Sequence, residues 1–261
     1  MNIFSKIILT GLISTLSLSA DTWRIEGGTG LWSTSADGTI IGEVEGITVK
    51  DHLGDHKDPT AGYIYITVKH PIPIVPNIRF EYTGVKASGT DVEVSSISVG
   101  EVADSELFLT QYDTILFYNL LDKTMYMSFD LGVDLKYIDS QYVVNASALF
   151  FSYNVLNTKS SFIVPMAYLR GRIDAPFAPL GLETDIKYIT DGESTVYDIR
   201  IKVDYTFEMG TVLEPGIELG YRIQQYDIAG EESSMIGDML SGSADTDVTF
   251  SGVYGGITVK F

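Results

Sequence analysis

The chain has 261 residues, with 35 Asp and Glu against 17 Lys and Arg, a formal net charge of -18 and no cysteine. That charge argues against nucleic acid as a partner, because phosphate binding needs the opposite sign, and the missing cysteine excludes both disulfides and a lipidated N-terminal cysteine. After the first twenty residues no stretch has the apolar length of a membrane-spanning helix, which excludes a helical membrane protein.

The chain begins MNIFSKIILTGLISTLSLSA, with one cation at Lys6, an apolar run from Ile7 to Leu18 and the small residues Ser19 and Ala20. This is the form of a secretory signal peptide, so the predicted organisation is a leader over 1–20 and a single domain over 21–261. Strands are expected near 23–33, 61–70 and 77–89, with a long polar loop over 34–60 between the first two. That loop holds DHLGDHKD, where a helical turn would set His52 and His56 on one side with Asp51 and Asp55 nearby, a candidate divalent-metal site. Gly54 weakens such a turn, and a solvated loop is the plainer reading.

HPIPIVPN places Pro71, Pro73 and Pro76 close together, and proline has no N–H for a sheet ladder, so 70–77 reads as a stiff connection between strands. After a loop over 90–105, strands near 106–120 and 124–138 are joined by the turn Leu121-Asp122-Lys123-Thr124. Residues 139–160, with YVVNASALFFSYNVL, either extend this hairpin or add a pair of strands. Strands near 161–175, 181–190, 195–208, 215–228 and 247–261 complete the chain, with a short turn at Glu208-Met209-Gly210-Thr211 and a long loop over 229–246.

The strands share one rule. In 197–207, Tyr197, Ile199, Ile201, Val203, Tyr205 and Phe207 alternate with Asp198, Arg200, Lys202, Asp204 and Thr206, a period of two with one apolar and one charged face. A soluble sandwich also alternates, but three features favour a membrane barrel. Ten steps of strand span about 33 Å, which a tilt of about 45° reduces to about 24 Å, the height of the apolar band on such barrels. The apolar rows end in Tyr or Phe, as interfacial girdles require, and short connections alternate with long ones. The predicted fold is therefore all-β: one antiparallel transmembrane β-barrel of about ten strands, with eight or twelve as alternatives, both termini periplasmic, in the outer membrane of a Gram-negative cell.

Several stretches carry a resemblance: HPIPIVPNIRFEYT (70–83), LTQYDTILFYNLLDK (109–123), SFDLGVDLKY (128–137), VPMAYLRGRID (164–174) and SGVYGGITVKF (251–261). Together they resemble an uncharacterised family of outer-membrane β-barrel proteins of roughly this length, catalogued with the GlyGly-tail protein-sorting system. The chain departs from that pattern at Lys69, where an acidic residue usually precedes the histidine, and at Thr124 and Met125, where a tryptophan often follows the turn aspartate. The resemblance implies the fold and location and no established activity. By likeness to Gram-negative barrels in general, the terminal Ile257, Val259 and Phe261 form the signal read by the outer-membrane assembly machinery.

The inward face is expected to carry Arg24, Arg79, Lys136, Arg170, Arg172, Lys187, Arg200, Lys202, Arg222 and Lys260, opposed by Glu26, Glu81, Asp113, Asp130, Asp134, Asp174, Glu183, Asp185, Asp198, Asp204 and Glu218. Side chains fill the bore of a small barrel, so this density reads as an ion-pair plug; a selective conduction path is the alternative. The remaining acids crowd predicted loops, where they would bridge through divalent ions to lipopolysaccharide phosphates or serve solubility. The three histidines are not brought near a nucleophile by any motif. The expectation is a monomeric, non-enzymatic, porin-like cell-envelope protein without cofactor, contacting outer-membrane lipid, lipopolysaccharide and the assembly machinery. It would act structurally or through loop-mediated binding with a largely closed lumen, or else as a narrow cation-preferring channel.

Overall fold

The computed structural model describes residues 23–44, 46–54, 60–72, 74–90, 92–95, 102–124, 126–148, 151–210, 212–229 and 243–261. The predicted leader, His56, Asp55 and most of the 229–246 connection lie outside them. The strands are β1 (Arg24–Ser33), β2 (Ser35–Val44), β3 (Ile47–Leu53), β4 (Thr60–Lys69), β5 (Asn77–Thr90), β6 (Glu93–Val94), β7 (Val102–Thr124), β8 (Met127–Ala148), β9 (Phe151–Asp174), β10 (Leu180–Thr190), β11 (Thr195–Thr206), β12 (Glu214–Ile228) and β13 (Ser243–Lys260).

Ten of these close a ring in the order β1-β4-β5-β7-β8-β9-β10-β11-β12-β13, with β13 returning to β1 from Glu26↔Lys260 to Trp32↔Tyr254. The closure reaches the last residue: Ile25 N–H donates to Phe261 O at 3.0 Å and Phe261 N–H to Ile25 O at 2.8 Å. A closed ring leaves no strand edge to be satisfied by a medium that offers no hydrogen bonds. The expected ten-stranded barrel is the observed one. One end of it carries both described termini and the short connections at 70–76, 125–126, 175–179 and 207–213; we call it the turn end, and the opposite one the loop end.

Side-chain alternation works as the sequence implied. Along β11, Val196, Asp198, Arg200, Lys202 and Asp204 are buried inside, while Ile199, Ile201, Val203 and Tyr205 face out. Outward tyrosines stack along one level, with ring centroids 5.3 Å apart for Tyr82–Tyr112 and 6.2 Å for Tyr112–Tyr137. Where β1 needs inward bulk it has none: a Cβ on Gly28 would lie 2.6 Å from the Tyr65 ring, and one on Gly30 2.5 Å from Tyr63 Oη. The two tyrosines of β4 lean over these glycines and fill the wall.

The structure corrects several loop boundaries. The predicted loop 34–60 contains the β2–β3 hairpin, whose turn places Gly46 at a φ of 80°. β2 prolongs β1 alongside β13, pairing Ser35↔Ser251 through Glu43↔Ser243. β3 then pairs with β2 and touches β5 at Leu53↔Gly89. The inward row Ala36, Ile40, Val49 and Leu53 is interrupted by Gly38, Gly42 and the buried Asp51, which hid its period. The supposed turn at 121–124 belongs to β7, which pairs with β8 as far as Thr124↔Met127. Residues 139–160 extend the β8–β9 hairpin to Ala148↔Phe151 and add no extra strand pair. β10, β11 and β12 stop together at Thr190, Thr195 and Ile228, with Thr195 paired to Asp227, so the wall is lower there than at β9.

Candidate functional site

The turn-end half of the bore is filled by charge. Lys187 of β10 reaches Glu81 at 2.7 Å and Asp113 at 2.9 Å across the barrel, with Asp134 at 3.7 Å and Asp198 at 3.8 Å. Lys136 holds Asp113 at 2.6 Å and Asp198 at 3.4 Å, and Arg222 clamps Asp198 with Nε at 2.9 Å and Nη2 at 2.7 Å. Arg200 bridges Glu81 at 2.5 Å and Asp185 at 3.1 Å. Arg170 meets Glu183 and Asp130, and Arg172 forks onto Asp204 at 2.6 and 3.0 Å. Lys202 joins Glu218 at 2.9 Å and Glu183 at 3.3 Å.

Asp130, Asp134, Lys136, Arg170, Arg172, Glu183, Asp185, Lys187, Asp198, Arg200, Lys202, Asp204, Glu218 and Arg222 all lie in this lattice, and all but Arg172 are buried. In low dielectric such charges persist only when paired and hydrogen-bonded. The sequence reading missed Lys69, which donates to Asp130 at 2.9 Å. It also missed the tyrosines: Tyr63 Oη donates to Glu218 at 2.6 Å, Tyr65 Oη at 3.0 Å and Tyr168 Oη to Asp185 at 2.8 Å. The regular two-residue spacing of Tyr63 and Tyr65 with Thr67 and Lys69 along β4 was the available signal. The void among Trp32, Tyr65, Arg79, Lys202 and Glu218 holds about 10 Å³, at the lower limit for a single water.

Above this plug, Gln111 and Gln224 exchange side-chain amide hydrogen bonds at 3.2 and 2.9 Å, and beyond them the interior changes. Leu107, Leu109, Ile138, Val144, Val248 and Phe250 point inward at the loop end, all buried. All of them but Val144 line a chamber of about 190 Å³. No chamber was expected from the sequence: Leu107, Leu109, Ile138, Phe162, Tyr226, Ile228, Val248 and Phe250 fall on expected strands, but the change of their inward row from charged to apolar was not recognised.

The histidine cluster is corrected. Residues 51–53 are strand, so Asp51 and His52 face opposite ways: Asp51 is fully buried inside and accepts Tyr142 Oη at 2.7 Å, while His52 is exposed outside. Burial, reinforced by Asp51, pushes the Tyr142 phenol above its ordinary pKa and keeps it a donor. His70 is spent on its turn: its N–H donates to Asn77 Oδ1 at 2.9 Å, its Nε2 lies 3.1 Å from Pro76 O and its Nδ1 accepts from Ile72 N–H at 3.2 Å. Ile257 and Val259 face outward and are exposed on the apolar belt, and Phe261 closes the seam.

No family model matches the chain, and no curated protein matches it. Among solved structures, the outer membrane protease OmpT from Escherichia coli is similar with a TM-score of 0.50 at 13% identity, over 95% of this chain and 100% of that one. The translocator domain of the autotransporter NalP from Neisseria meningitidis gives a TM-score of 0.41 at 10% identity, over 99% of this chain and 95% of that one. At these identities the likeness shows the fold, an outer-membrane β-barrel. It also corrects the expectation of a non-enzyme: a barrel of this fold is the body of a protease, so the architecture supplies no ground for denying catalysis.

Proposed function

We propose that the chain is an outer-membrane barrel of a Gram-negative cell that seals its own bore and acts through its loop-end half. In this reading 1–20 directs export, the turn end faces the periplasm, the loop end faces outward, and Ile257, Val259 and Phe261 are read by the assembly machinery. Membership of the GlyGly-tail-associated group rests on the stretches quoted above. The observation that carries the sealed bore is the continuous lattice around Lys187, Lys136, Arg200 and Asp198, with about 10 Å³ of void beside it.

The competing reading is a narrow cation-preferring channel, favoured by Asp134, whose two carboxylate oxygens are buried without a hydrogen-bond partner. Recording current across a planar bilayer containing the refolded chain separates the two. A silent bilayer is expected; discrete steps whose size or ion preference changes in Asp130→Asn or Arg172→Gln would overturn the seal. The OmpT fold adds peptide hydrolysis at the loop end as an activity to assay. Cleavage of fluorogenic peptides that is lost in His52→Ala would assign that histidine to it.

A further inference from the structure

The loop-end chamber has the chemistry of a ligand site. Its walls include Ile40, Leu107, Leu109, Ile138, Val248 and Phe250, and among the described residues no charged side chain lines it. Two of its lining side chains, Tyr226 and Thr158, keep hydroxyl oxygens buried with no hydrogen-bond partner. Tyr226 is 5% exposed, so its hydroxyl lacks a protein partner at a position shielded from bulk solvent, an arrangement that costs about 1–3 kcal/mol in ordinary protein interiors. A neighbouring pair shows the contrast: Ser140 Oγ, on the same wall, donates to Ser160 O at 3.1 Å.

Size and access agree with this. A dry apolar cavity of roughly 150 Å³ accommodates benzene, and this one measures about 190 Å³. Its floor is the Gln111–Gln224 pair, one inward step below Leu109 and Tyr226. Its half-buried rim residues Thr158, Ser160 and Phe162 on β9 and Ile228 at the end of β12 border the low sector formed by β10, β11 and β12. A ligand entering there would not cross the ion-pair lattice.

We infer that this chamber binds a small neutral compound of one or two rings, or an aliphatic body of equal size, carrying one hydroxyl or carbonyl group that pairs with the hydroxyl of Tyr226 or of Thr158. The site deepens the loop-end reading by naming a ligand class, yet it does not depend on the bore being sealed.

The test uses 1-naphthol and naphthalene as probes on the refolded chain in lipid nanodiscs, with empty nanodiscs subtracted and heat-modifiable gel migration confirming the fold. Saturable binding of both is expected. Tyr226→Phe should weaken 1-naphthol by roughly three- to tenfold and leave naphthalene unchanged, with Thr158→Val as the second hydroxyl deletion. Leu109→Phe should reduce both by about tenfold or more by filling the space, with Val248→Phe in reserve if it does not fold. The inference fails if the folded wild type shows no saturable binding, if the filling variants bind as well as wild type, or if removing the hydroxyls weakens both probes alike. A conducting bilayer with intact probe binding would sink the sealed bore alone.

Discussion

β8 passes through two environments without changing its pleat. From Met127 to Tyr137 the outward row is Met127, Phe129, Leu131, Val133, Leu135 and Tyr137, and the inward row holds Asp130, Asp134 and Lys136. From Ile138 to Ala146 the inward row is Ile138, Ser140, Tyr142, Val144 and Ala146, while Asp139, Gln141, Val143 and Asn145 face out. β7 switches at the same level, with Asp113 and Gln111 giving way to Leu109 and Leu107 inside and Tyr112 to Glu106 and Asp104 outside. The turn-end half is therefore inverted, polar within and greasy without, and the loop-end half is an ordinary water-soluble sheet wrapped round an apolar core. The reversal coincides with the outward Tyr82–Tyr112–Tyr137 stack, the level at which hydrocarbon gives way to water.

Changes that ignore this reversal should hurt one half and spare the other. The largest effect is expected from Lys187→Met, which strips Glu81 and Asp113 of a shared cation at full burial and should cost about 3–5 kcal/mol. Urea unfolding of the refolded barrel in micelles measures it; a loss under about 1 kcal/mol would mean that the lattice is wetter than its geometry implies. Next, the same substitution at the same parity should give two answers. Val133→Arg, midway down the apolar belt, should cost about 2–4 kcal/mol, whereas Gln141→Arg, four pairs of residues along the same face, should stay within about 0.5 kcal/mol. Equal penalties at both sites would refute the placement of the water surface between them.

The smallest effect is a pH dependence. At the loop end, desolvation and the neighbouring Asp247 and Asp245 raise the Asp227 carboxyl above its ordinary pKa. A folded pKa above the unfolded one means that the contribution to stability is complete below the unfolded value and is lost as pH rises through the folded one. Pairing of β12 with β13 near Asp227↔Asp247 should thus tighten as pH falls from neutrality towards 4. Amide exchange at 225–228, corrected for its intrinsic pH dependence, should slow accordingly, and Asp247→Asn should flatten the trend. A slope of the opposite sign would remove Asp247 as the cause.

Much of this was legible in residue order. The ten ring strands, the closing role of Gly252 to Phe261 and the inward position of Asp130, Lys136, Arg170, Lys187, Arg200 and Arg222 follow from strict alternation, because a pleated strand turns successive side chains to opposite faces. Even YVVNASALFFSYNVL carried enough of the period to admit an extended hairpin. What stayed hidden was the reversal itself: an apolar row facing inward looks, in one dimension, like a change of register or a loop. The DHLGDHKD stretch misled for a related reason, since a spacing of four suits a helical turn, and the pairing of β3 with β2 overrode it.

Local sequence decided which side chains face the bore, since that depends on backbone geometry within a few residues. Which charge meets which was settled by closure and strand stagger alone: Lys187 finds Glu81 across 106 positions of chain and Arg200 finds it across 119, and no local pattern encodes such a distance. The apolar chamber belongs to the same class. It exists because β2, β7, β8, β9 and β13 continue past the level at which β10, β11 and β12 stop, and the space left between them is a property of the assembled wall, of none of its strands.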